Sequence, residues 1–391
     1  MPKNIVILLD GTSNEISSNR TNILRLYGTL EKSAAQVVYY NPGVGTFGPE
    51  NGFSYASRKT AEIIGMATGW GIDQNVKEAY RFLVENYDDG KRPGDAPLGR
   101  DEIFIFGFSR GAYSARVLAG FINALGLVSK SNLNLIKYAY RAYKGITKNA
   151  NDVPDWAEMD LYNRILNPDH PPIRCLGLFD TVASVIEFGR FRLQFRSHVG
   201  TSRNPSVAAV RHAVAMDERR NLFQPLLWVA GQPFYGNRFK SAVPRPQDSR
   251  ELWFAGVHGD VGGGYPEDMS ALAKVPLDWM IRETGPMGLA YKALTVNELV
   301  LGTNPKKKYV KPDALAAANQ SMNAAWAMLE YVPRRVSRTE KGERKTFFGW
   351  YLPLFNPRRI RPDAILHTSV QHRVAQWGLP PNAPANPVYE S

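Results

Sequence analysis

Six short apolar runs recur along the first two thirds of the chain, with longer segments between them. The runs are nearly continuous rather than alternating, which is typical of strands buried on both faces of a parallel sheet. They are "NIVILLD" (4–10), "QVVYYNP" (36–42), "EIFIFGF" (102–108), "IRCLGLFD" (173–180), "FQPLLWVA" (223–230) and "ELWFAGV" (251–257). Apolar positions at helical spacing indicate helices over 71–87 and 110–127. The pattern predicts an α/β fold, in which a mainly parallel sheet is covered by helices on both faces.

The character of the chain changes near residue 290. The basic segments "NPKKKYVKP", "VPRRVSRTEKGERK" and "NPRRIRP" lie around the aromatic run "TFFGWYLPLF" (346–355), and "GLPPNAPANP" follows close to the end. We expect a catalytic core over 1–290 and a basic, aromatic-rich part over 291–375, a subdomain or a set of insertions packed on or inserted into that core. The proline-rich residues 376–391 are expected to form a loose tail.

The composition narrows the class of protein. With 391 residues, 44% of them hydrophobic, the chain can bury a sizeable core. Its single cysteine, Cys175, excludes an intrachain disulfide framework and a thiolate zinc cluster. The opening "MPKNIVILLDGT" has no small-residue cleavage site, and no run of 18 apolar residues occurs. We therefore expect a soluble protein, cytoplasmic in the producing cell and delivered to a target cell only if another machine carries it.

Lys and Arg exceed Asp and Glu, which gives a formal net charge of +12. Such an excess favours anionic partners, either nucleic acid or acidic lipid headgroups, although it also serves simple solubility. No known nucleic-acid-binding module and no zinc-finger spacing accompanies the charge. Nucleic acid is therefore not expected as a partner.

One pentapeptide indicates a nucleophile. "GFSRG" (107–111) follows an apolar strand and precedes a helical pattern, and it matches G-x-S-x-G. In α/β-hydrolases this pattern places a nucleophilic serine on a sharp turn between strand and helix, because small residues on both sides relieve crowding. The pattern predicts Ser109 as the nucleophile and the backbone N–H of Arg110 as an oxyanion donor at the start of the helix. The alternative is a serine in an ordinary turn.

A nucleophilic serine needs a base, and six histidines are present. His258 comes directly after a predicted strand, in "WFAGVHGDVGGGYPE", which places it at the carboxyl edge of the sheet, where ligands bind. It is the preferred base. His212 in "RHAVAMDERR", expected on a helix face, and His367 in "ILHTSV" remain rivals.

The base in turn needs a carboxylate that orients it. Asp180 ends the apolar run "IRCLGLFD" and stands between the serine and the histidine in the chain, which is the order found in α/β-hydrolases. Asp260 and Asp217 are the alternatives, and each can equally be a turn or surface carboxylate.

The first strand ends in a similar arrangement. "LLDGTSNE" places Asp10, Gly11 and Thr12 where a second oxyanion donor is expected, from the N–H of Gly11 or Thr12. The other interpretation is a capping turn before a helix, with Asp or Thr as the cap.

Several dispersed motifs together resemble one known family. They are "ILLDGTSNE", "YYNPGVGTFG", "GFSRGAYSARVLAG", "GLFDTVASV", "RHAVAMDERRNLFQP", "WFAGVHGDVGGGY" and "ILHTSV". In this order they resemble the α/β-hydrolase domain family that includes the class one lipases of the type VI secretion system. The resemblance implies a phospholipase that cleaves acyl esters of membrane phospholipids with Ser109, Asp180 and His258, and a secretion-system or immunity protein as a partner. A serine hydrolase of this kind is expected to need no metal or other cofactor.

Two other functions remain open. A metal-dependent phosphohydrolase would use Asp10, Asp180, Asp260 and His258 as ligands, since oxygen-rich clusters at strand ends suit that chemistry. A non-catalytic module would keep the fold and bind lipid or a partner through its basic, aromatic segment. Sensitivity to a chelator separates the first alternative from a serine hydrolase.

The segment 345–362, "KTFFGWYLPLFNPRRIRP", has two interpretations of its own. Its aromatic residues can pack on the core as a cap, since aromatic clusters usually mark buried surface. Alternatively they can dock on a membrane, with Arg358, Arg359 and Arg361 facing anionic lipid, as a peripheral contact. Gly349, Pro353 and Pro357 argue against one continuous helix here.

Overall fold

The computed structural model describes residues 2–11, 19–43, 70–91, 99–146, 155–182, 186–189, 192–195, 198–237, 239, 243–335 and 347–391. Fourteen strands lie within these ranges. They are β1 Asn4–Leu9, β2 Gln36–Asn41, β3 Glu102–Phe108, β4 Ile173–Phe179, β5 Ile186–Gly189, β6 Arg192–Phe195, β7 Val207–Ala215, β8 Pro233–Phe234, β9 Arg245–Pro246, β10 Asp248–Phe254, β11 Arg334–Arg335, β12 Trp350–Tyr351, β13 Ile365–His367 and β14 Val388–Glu390.

Eight of these strands form one sheet, in the order β14-β13-β10-β7-β4-β3-β1-β2, and every neighbouring pair is parallel. The chain runs from β1 outward to β2 at one edge and then returns to place β3 on the other side of β1. The connections therefore diverge between β1 and β3, and such a switch point leaves a crevice at the carboxyl ends of the two strands. Leu9 is paired with Gly107 there, directly before Asp10 and Phe108-Ser109.

Helices cover both faces of the sheet. The α-helices are Asn22–Thr29, Trp70–Asn86, Arg110–Leu125, Ile136–Gly145, Ala157–Leu166, His258–Gly262, Lys274–Thr284, Ala293–Thr295, Ala324–Glu330 and Thr368–Trp377, with shorter 3-10 or π turns at Lys130–Leu135, Asn221–Phe223, Glu267–Met269 and Val296–Val300. Alternate residues of β1 belong to different cores: Ile5 and Ile7 pack with the helix Arg110–Leu125, and Val6 and Leu8 pack with Lys274–Thr284. This two-sided burial is why the strand sequence is continuously apolar. The predicted α/β class, with a hydrolase-like parallel sheet, is confirmed.

Two local predictions are wrong. The run 223–230 is not a strand: Asn221–Phe223 forms a 3-10 turn at its start, and the N–H of Leu226 donates to the carbonyl of Thr181 after β4. Pro225 interrupts the run and has no N–H to give a ladder. The missing strand is β7, whose sequence "VAAVRHAVA" carries alanines and two polar side chains in place of a continuous apolar run. His212 therefore lies on a central strand and not on a helix face.

The end of the chain is part of the sheet. β13 pairs with β10, and β14 continues the sheet in parallel beyond β13. The prediction of a loose tail over 376–391 is wrong, because Val388–Glu390 pairs with β13 as a strand. The sequence of this strand has no apolar periodicity that would have predicted it. Between β13 and β14 the helix Thr368–Trp377 makes the crossover. Among the described residues, no helix is both long and apolar enough to cross a membrane.

Candidate active site

Ser109 lies on a strained turn at the carboxyl end of β3. Its backbone angles, φ 57° and ψ −121°, are in a region that non-glycine residues rarely adopt. No side chain fits at either flanking glycine. A Cβ on Gly107 would lie 2.5 Å from the Cα of Ala112, and a Cβ on Gly111 would lie 2.1 Å from the carbonyl oxygen of Leu9. The G-x-S-x-G pattern is therefore required to fold the strand back into the helix Arg110–Leu125.

The side chain of Ser109 meets a histidine. Oγ of Ser109 and Nε2 of His258 lie 2.8 Å apart. The other ring nitrogen, Nδ1, faces Oδ2 of Asp180 at 2.5 Å. Because an ionised carboxylate only accepts hydrogen bonds, Nδ1 carries the proton, and Nε2 is left to accept the hydroxyl proton of Ser109. The structure thus brings together the three residues that the sequence selected separately.

Asp180 follows β4 and is completely buried. Its φ of 39° is again positive, and its N–H donates to the carbonyl of Ala213 on the neighbouring strand β7. The N–H of Ser109 donates in turn to the carbonyl of Phe179, so the turns after β3 and β4 are directly linked. Two neighbouring residues with strained backbones, both at the carboxyl ends of strands, indicate a functional site, because the surrounding structure must hold each of them in an unfavourable conformation.

The second partner of Asp180 was not predicted. Arg358 donates to Oδ1 at 2.6 Å and to Oδ2 at 2.9 Å, and its side chain is fully buried. Burial by itself would raise the pKa of Asp180, but the charge of Arg358 and the hydrogen bonds from His258 and Arg358 hold that pKa well below its usual range. The expectation that Arg358 faces a membrane is therefore wrong, since the guanidinium is committed to Asp180 inside the protein.

Two aromatic rings enclose the imidazole of His258. Phe108 lies at 4.7 Å between ring centroids, and Phe223 meets the ring edge-on at 4.9 Å. Burial lowers the pKa of His258 below its usual value, against the raising effect of Asp180. A histidine neutral at rest suits a role as proton acceptor. Sequence reasoning missed both rings, although Phe108 is the second residue of the pentapeptide itself.

The expected support residues have different outcomes. Arg110 is the first residue of the helix, so its N–H lies at the helix N-terminus beside Ser109. The N–H of Gly11 instead donates to Oδ1 of Asp10 at 2.7 Å, so the prediction of an oxyanion donor does not fit its position in this structure. Asp10 also accepts hydrogen bonds from Thr21 and Tyr40 and anchors the end of β1. Thr12 lies outside the described residues.

The two rival histidines occupy structural positions. His212 is buried, with Nδ1 at 2.8 Å from Glu251 and Nε2 accepting the N–H of Thr181, so it supports the loop after Asp180. His367 caps the helix Thr368–Trp377 by accepting the N–H of Ser369. Burial lowers the pKa of His367 to about 4. Neither ring is hydrogen-bonded to Ser109.

The alternative carboxylates hold the loop that carries His258. Asp217 accepts the N–H of Gly256, and Asp260 accepts the N–H of Val257 and two hydrogen bonds from Asn319. Burial raises the pKa of both groups. Within the described part of the chain, no three His, Cys, Asp or Glu side chains converge as a metal site. The oxygens proposed as metal ligands at Asp10 and Asp260 are engaged in these separate hydrogen-bond sets.

The parallel sheet and the serine turn after β3 define an α/β-hydrolase-like protein. Residues 3–283 match the family model described as T6SS, Phospholipase effector Tle1-like, catalytic domain. The chain belongs to this family. Ser109, Asp180 and His258 lie inside the matched region, and Arg358 lies outside it.

Three individual proteins are also similar to parts of the chain. The chain is 33% identical over 235 residues to the uncharacterized protein YEL023C of Saccharomyces cerevisiae, covering 57% of this chain and 32% of the yeast protein. Two solved structures are also similar: an uncharacterized protein from Pseudomonas aeruginosa (18% identity, TM-score 0.43, 74% of this chain and 46% of that one) and the Tle1 effector bound to the VgrG spike of the type 6 secretion system (19%, 0.37, 69% and 52%). The chain thus spans about a third to a half of the length of these proteins.

Proposed function

We propose that the protein is a serine hydrolase that cleaves acyl esters of membrane phospholipids. The observation that carries the proposal is the hydrogen-bonded series from Ser109 Oγ to His258 Nε2 and from His258 Nδ1 to Asp180. Membership of a family described by phospholipase effectors supports the lipid substrate. The proposed reaction uses these side chains, the backbone N–H groups at the start of the helix Arg110–Leu125, a water molecule and the ester.

Ser109 attacks the acyl carbonyl as Nε2 of His258 takes the hydroxyl proton. Asp180 stabilises the imidazolium that results. The carbonyl oxygen, now negative, faces the N-terminal end of the helix that begins at Arg110, where backbone N–H groups and the helix dipole favour an anion. His258 then returns the proton to the leaving alcohol, and an acyl-enzyme remains. Water, activated by the same imidazole, releases the fatty acid and restores Ser109.

An exposed surface beside the site suits contact with a membrane. The apolar patch consists of exposed large side chains from two adjacent segments, joined by the β11–β12 pairing: Met328, Tyr331, Val332, Phe347, Phe348, Trp350, Leu352 and Leu354. The helix Ala324–Glu330, which carries Met328 of the patch, also contacts the site: its Trp326 packs edge-on against Phe223, and Phe223 packs against His258. Exposed aromatic side chains favour the headgroup boundary of a bilayer. We propose that the patch brings the enzyme to its substrate surface.

The description of the family as effectors supports a proposed role as a delivered effector. The solved Tle1 effector is bound to the VgrG spike. We propose that this protein likewise is carried by a secretion machine, meets a spike component in the producing cell and an immunity protein where self-damage must be prevented.

Activity-based labelling tests the proposed chemistry. Wild-type protein should react with a fluorophosphonate and release fatty acid from phospholipid vesicles, both with and without a chelator. Ser109→Ala should do neither while its unfolding temperature stays close to that of the wild type. Hydrolysis by Ser109→Ala above about a tenth of the wild-type rate contradicts the proposal, because binding and an oxyanion site alone supply less than that. Loss of activity with a chelator would favour the metal-dependent alternative.

A further inference from the structure

Arg358 forms a bidentate ion pair with the carboxylate of Asp180. The two terminal nitrogens reach the two carboxylate oxygens, at 2.6 Å and 2.9 Å, which is the bidentate geometry that fixes both the position and the plane of a carboxylate. Oδ1 also accepts the N–H of Ala215 at 3.0 Å, and Oδ2 also faces Nδ1 of His258. Asp180 therefore has two hydrogen bonds on each oxygen.

The terminal nitrogens of the guanidinium make further hydrogen bonds. They donate to the carbonyl of Ala215 at 2.8 Å and to the carbonyl of Phe223, while the backbone carbonyl of Arg358 accepts from Asn382. Only 1% of the residue is exposed. A buried ion pair rarely adds stability beyond what packed apolar side chains would give, so its presence at this position calls for another role.

The pair changes the electrostatics of the site. A carboxylate beside an imidazole favours the protonated ring, and a cation on the far side of that carboxylate weakens this effect. The charged groups that face His258 are Asp180 and Glu218, which raise its pKa, and Arg220, which lowers it. Arg358 acts on the imidazole through Asp180, because Arg358 and His258 both hydrogen-bond to Oδ2 of that carboxylate.

We propose that Arg358 is a positioning residue, which fixes the orientation of Asp180 toward His258 and limits how strongly Asp180 favours the protonated imidazole. This inference rests on the proposed Ser109 hydrolase. It also assigns a role to the C-terminal part: residues beyond the matched catalytic region 3–283 complete the site of that region. The chain after Arg358 continues into β13, which pairs with β10, and β14 pairs with β13, so this part of the chain belongs to the sheet.

Three variants test the role of Arg358. Arg358→Gln removes the charge, and Arg358→Lys keeps it without the two-pronged geometry. Arg361→Gln is the matched control, since Arg361 lies three residues on, is exposed and pairs only with Asp363 among the described carboxylates. Active sites are first titrated with a fluorophosphonate, so that rates refer to reactive Ser109 and not to total protein. The pH dependence of kcat/KM on a soluble short-chain ester is then measured for each.

We expect Arg358→Gln to lower kcat about 10- to 100-fold per titrated site, the size of a lost hydrogen bond to a charged group. The acidic limb of its pH profile should move to higher pH, by about half a unit or more, because Asp180 without its cation favours protonated His258 more strongly. Arg358→Lys should return the limb toward the wild-type position and recover part of kcat, and Arg361→Gln should match the wild type.

An unmoved limb in Arg358→Gln overturns the inference, even if the variant is less stable, because a merely structural arginine would lower the number of sites and not shift their titration. A limb that moves to lower pH overturns it as well. If Arg358→Gln leaves too few titratable sites, Arg358→Lys decides alone: a kcat and profile identical to the wild type contradict the need for the bidentate pair. Failure of the proposed function is separate, since it appears as activity in Ser109→Ala.

Discussion

The backbone N–H of His258 donates to Oε2 of Glu218 at 3.2 Å. Glu218 is fully buried and also binds Arg220 and the hydroxyl of Ser321. Burial would raise its pKa, but Arg220 outweighs burial and lowers the pKa of Glu218 to about 2. Glu218 therefore stays ionised beside the imidazole, and its charge raises the pKa of His258.

Glu218→Gln should shift the pH profile in the direction opposite to Arg358→Gln. The amide keeps the size of the side chain but leaves the charge of Arg220 facing His258 without its counterion, so the pKa of His258 falls and the acidic limb moves to lower pH. The measurement is kcat/KM against pH on a soluble ester. A shift to higher pH, or no shift, contradicts this account of the charges around His258.

The same substitution has a consequence for stability. Because the pKa of Glu218 is depressed in the folded protein, its ion pair stabilises the fold above the ordinary carboxyl pKa and loses that effect as pH falls toward about 2. Glu218→Gln should cost about 1–3 kcal/mol of unfolding free energy at pH 7, since Arg220 remains partly exposed. Denaturant unfolding at several pH values should show this difference shrinking below pH 4. A difference that grows on acidification would contradict the linkage.

Gly111→Ala should damage the serine turn by overlap with backbone. The added Cβ would lie 2.1 Å from the carbonyl oxygen of Leu9 and 2.3 Å from that of Asp10, and neither oxygen can rotate away. We expect a loss of about 3 kcal/mol or more in unfolding free energy, the upper range for overpacking, together with loss of fluorophosphonate labelling. Gly145→Ala is the control: it ends the helix Ile136–Gly145 with open space around it and should be neutral or slightly stabilising. Equal stability of the two variants would contradict the steric argument.

The parts of the site that lie at strand ends could be predicted from the sequence. Ser109, Asp180 and His258 each follow an apolar run, and parallel strands bring their carboxyl ends to one edge, so the position along the chain nearly determines the position in space. The strands themselves were visible because burial on both faces leaves a continuous apolar signal. β7 was an exception among the central strands, because its sequence carries Arg211, whose charge is paired with Asp248 and Glu283 from elsewhere in the chain.

Arg358 could not be predicted in this way. It reaches Asp180 across 178 positions of sequence, and no local pattern separates it from the exposed Arg359 and Arg361 beside it. Its burial is a property of the tertiary fold, in which the chain after this segment pairs with the sheet as β13. The roles of Phe223 and Glu218 could not be predicted for the same reason, since each residue meets His258 only through the tertiary fold.

Removal of the three proposed catalytic side chains should not be additive. Ser109→Ala, Asp180→Asn and His258→Ala should each lower kcat by several powers of ten, and a double variant with Ser109→Ala should be scarcely worse than Ser109→Ala alone, because the three groups act in one proton transfer. The control is His367→Ala, which removes a helix cap and should cost about 1 kcal/mol of stability but leave kcat per titrated site unchanged. Additive losses, or an inactive His367→Ala, would contradict the assignment.

The apolar patch includes two strongly exposed phenylalanine rings. Phe347 and Phe348 are 79% and 87% exposed, so the interpretation of this aromatic segment as a cap on the core is wrong for its outermost rings. Phe348, Leu354 and Phe355 also adopt positive φ, which holds the segment as a shaped loop and agrees with the expected absence of a continuous helix.

Replacing Phe347 and Phe348 by serine should weaken binding to anionic phospholipid vesicles at least about tenfold, because two exposed rings provide apolar area and ring polarity suited to the headgroup boundary.

Charge reversal at Arg359 and Arg361, without Arg358, should weaken binding more at low salt than at high salt, since exposed charges act through a screened field. Hydrolysis of a soluble short-chain ester should be unchanged in both variants. Tyr138→Ser is the matched control, because Tyr138 is an exposed aromatic residue on a different element, the helix Ile136–Gly145. Vesicle sedimentation measures the binding, and equal binding by Phe347→Ser/Phe348→Ser and the wild type would remove the patch from the mechanism.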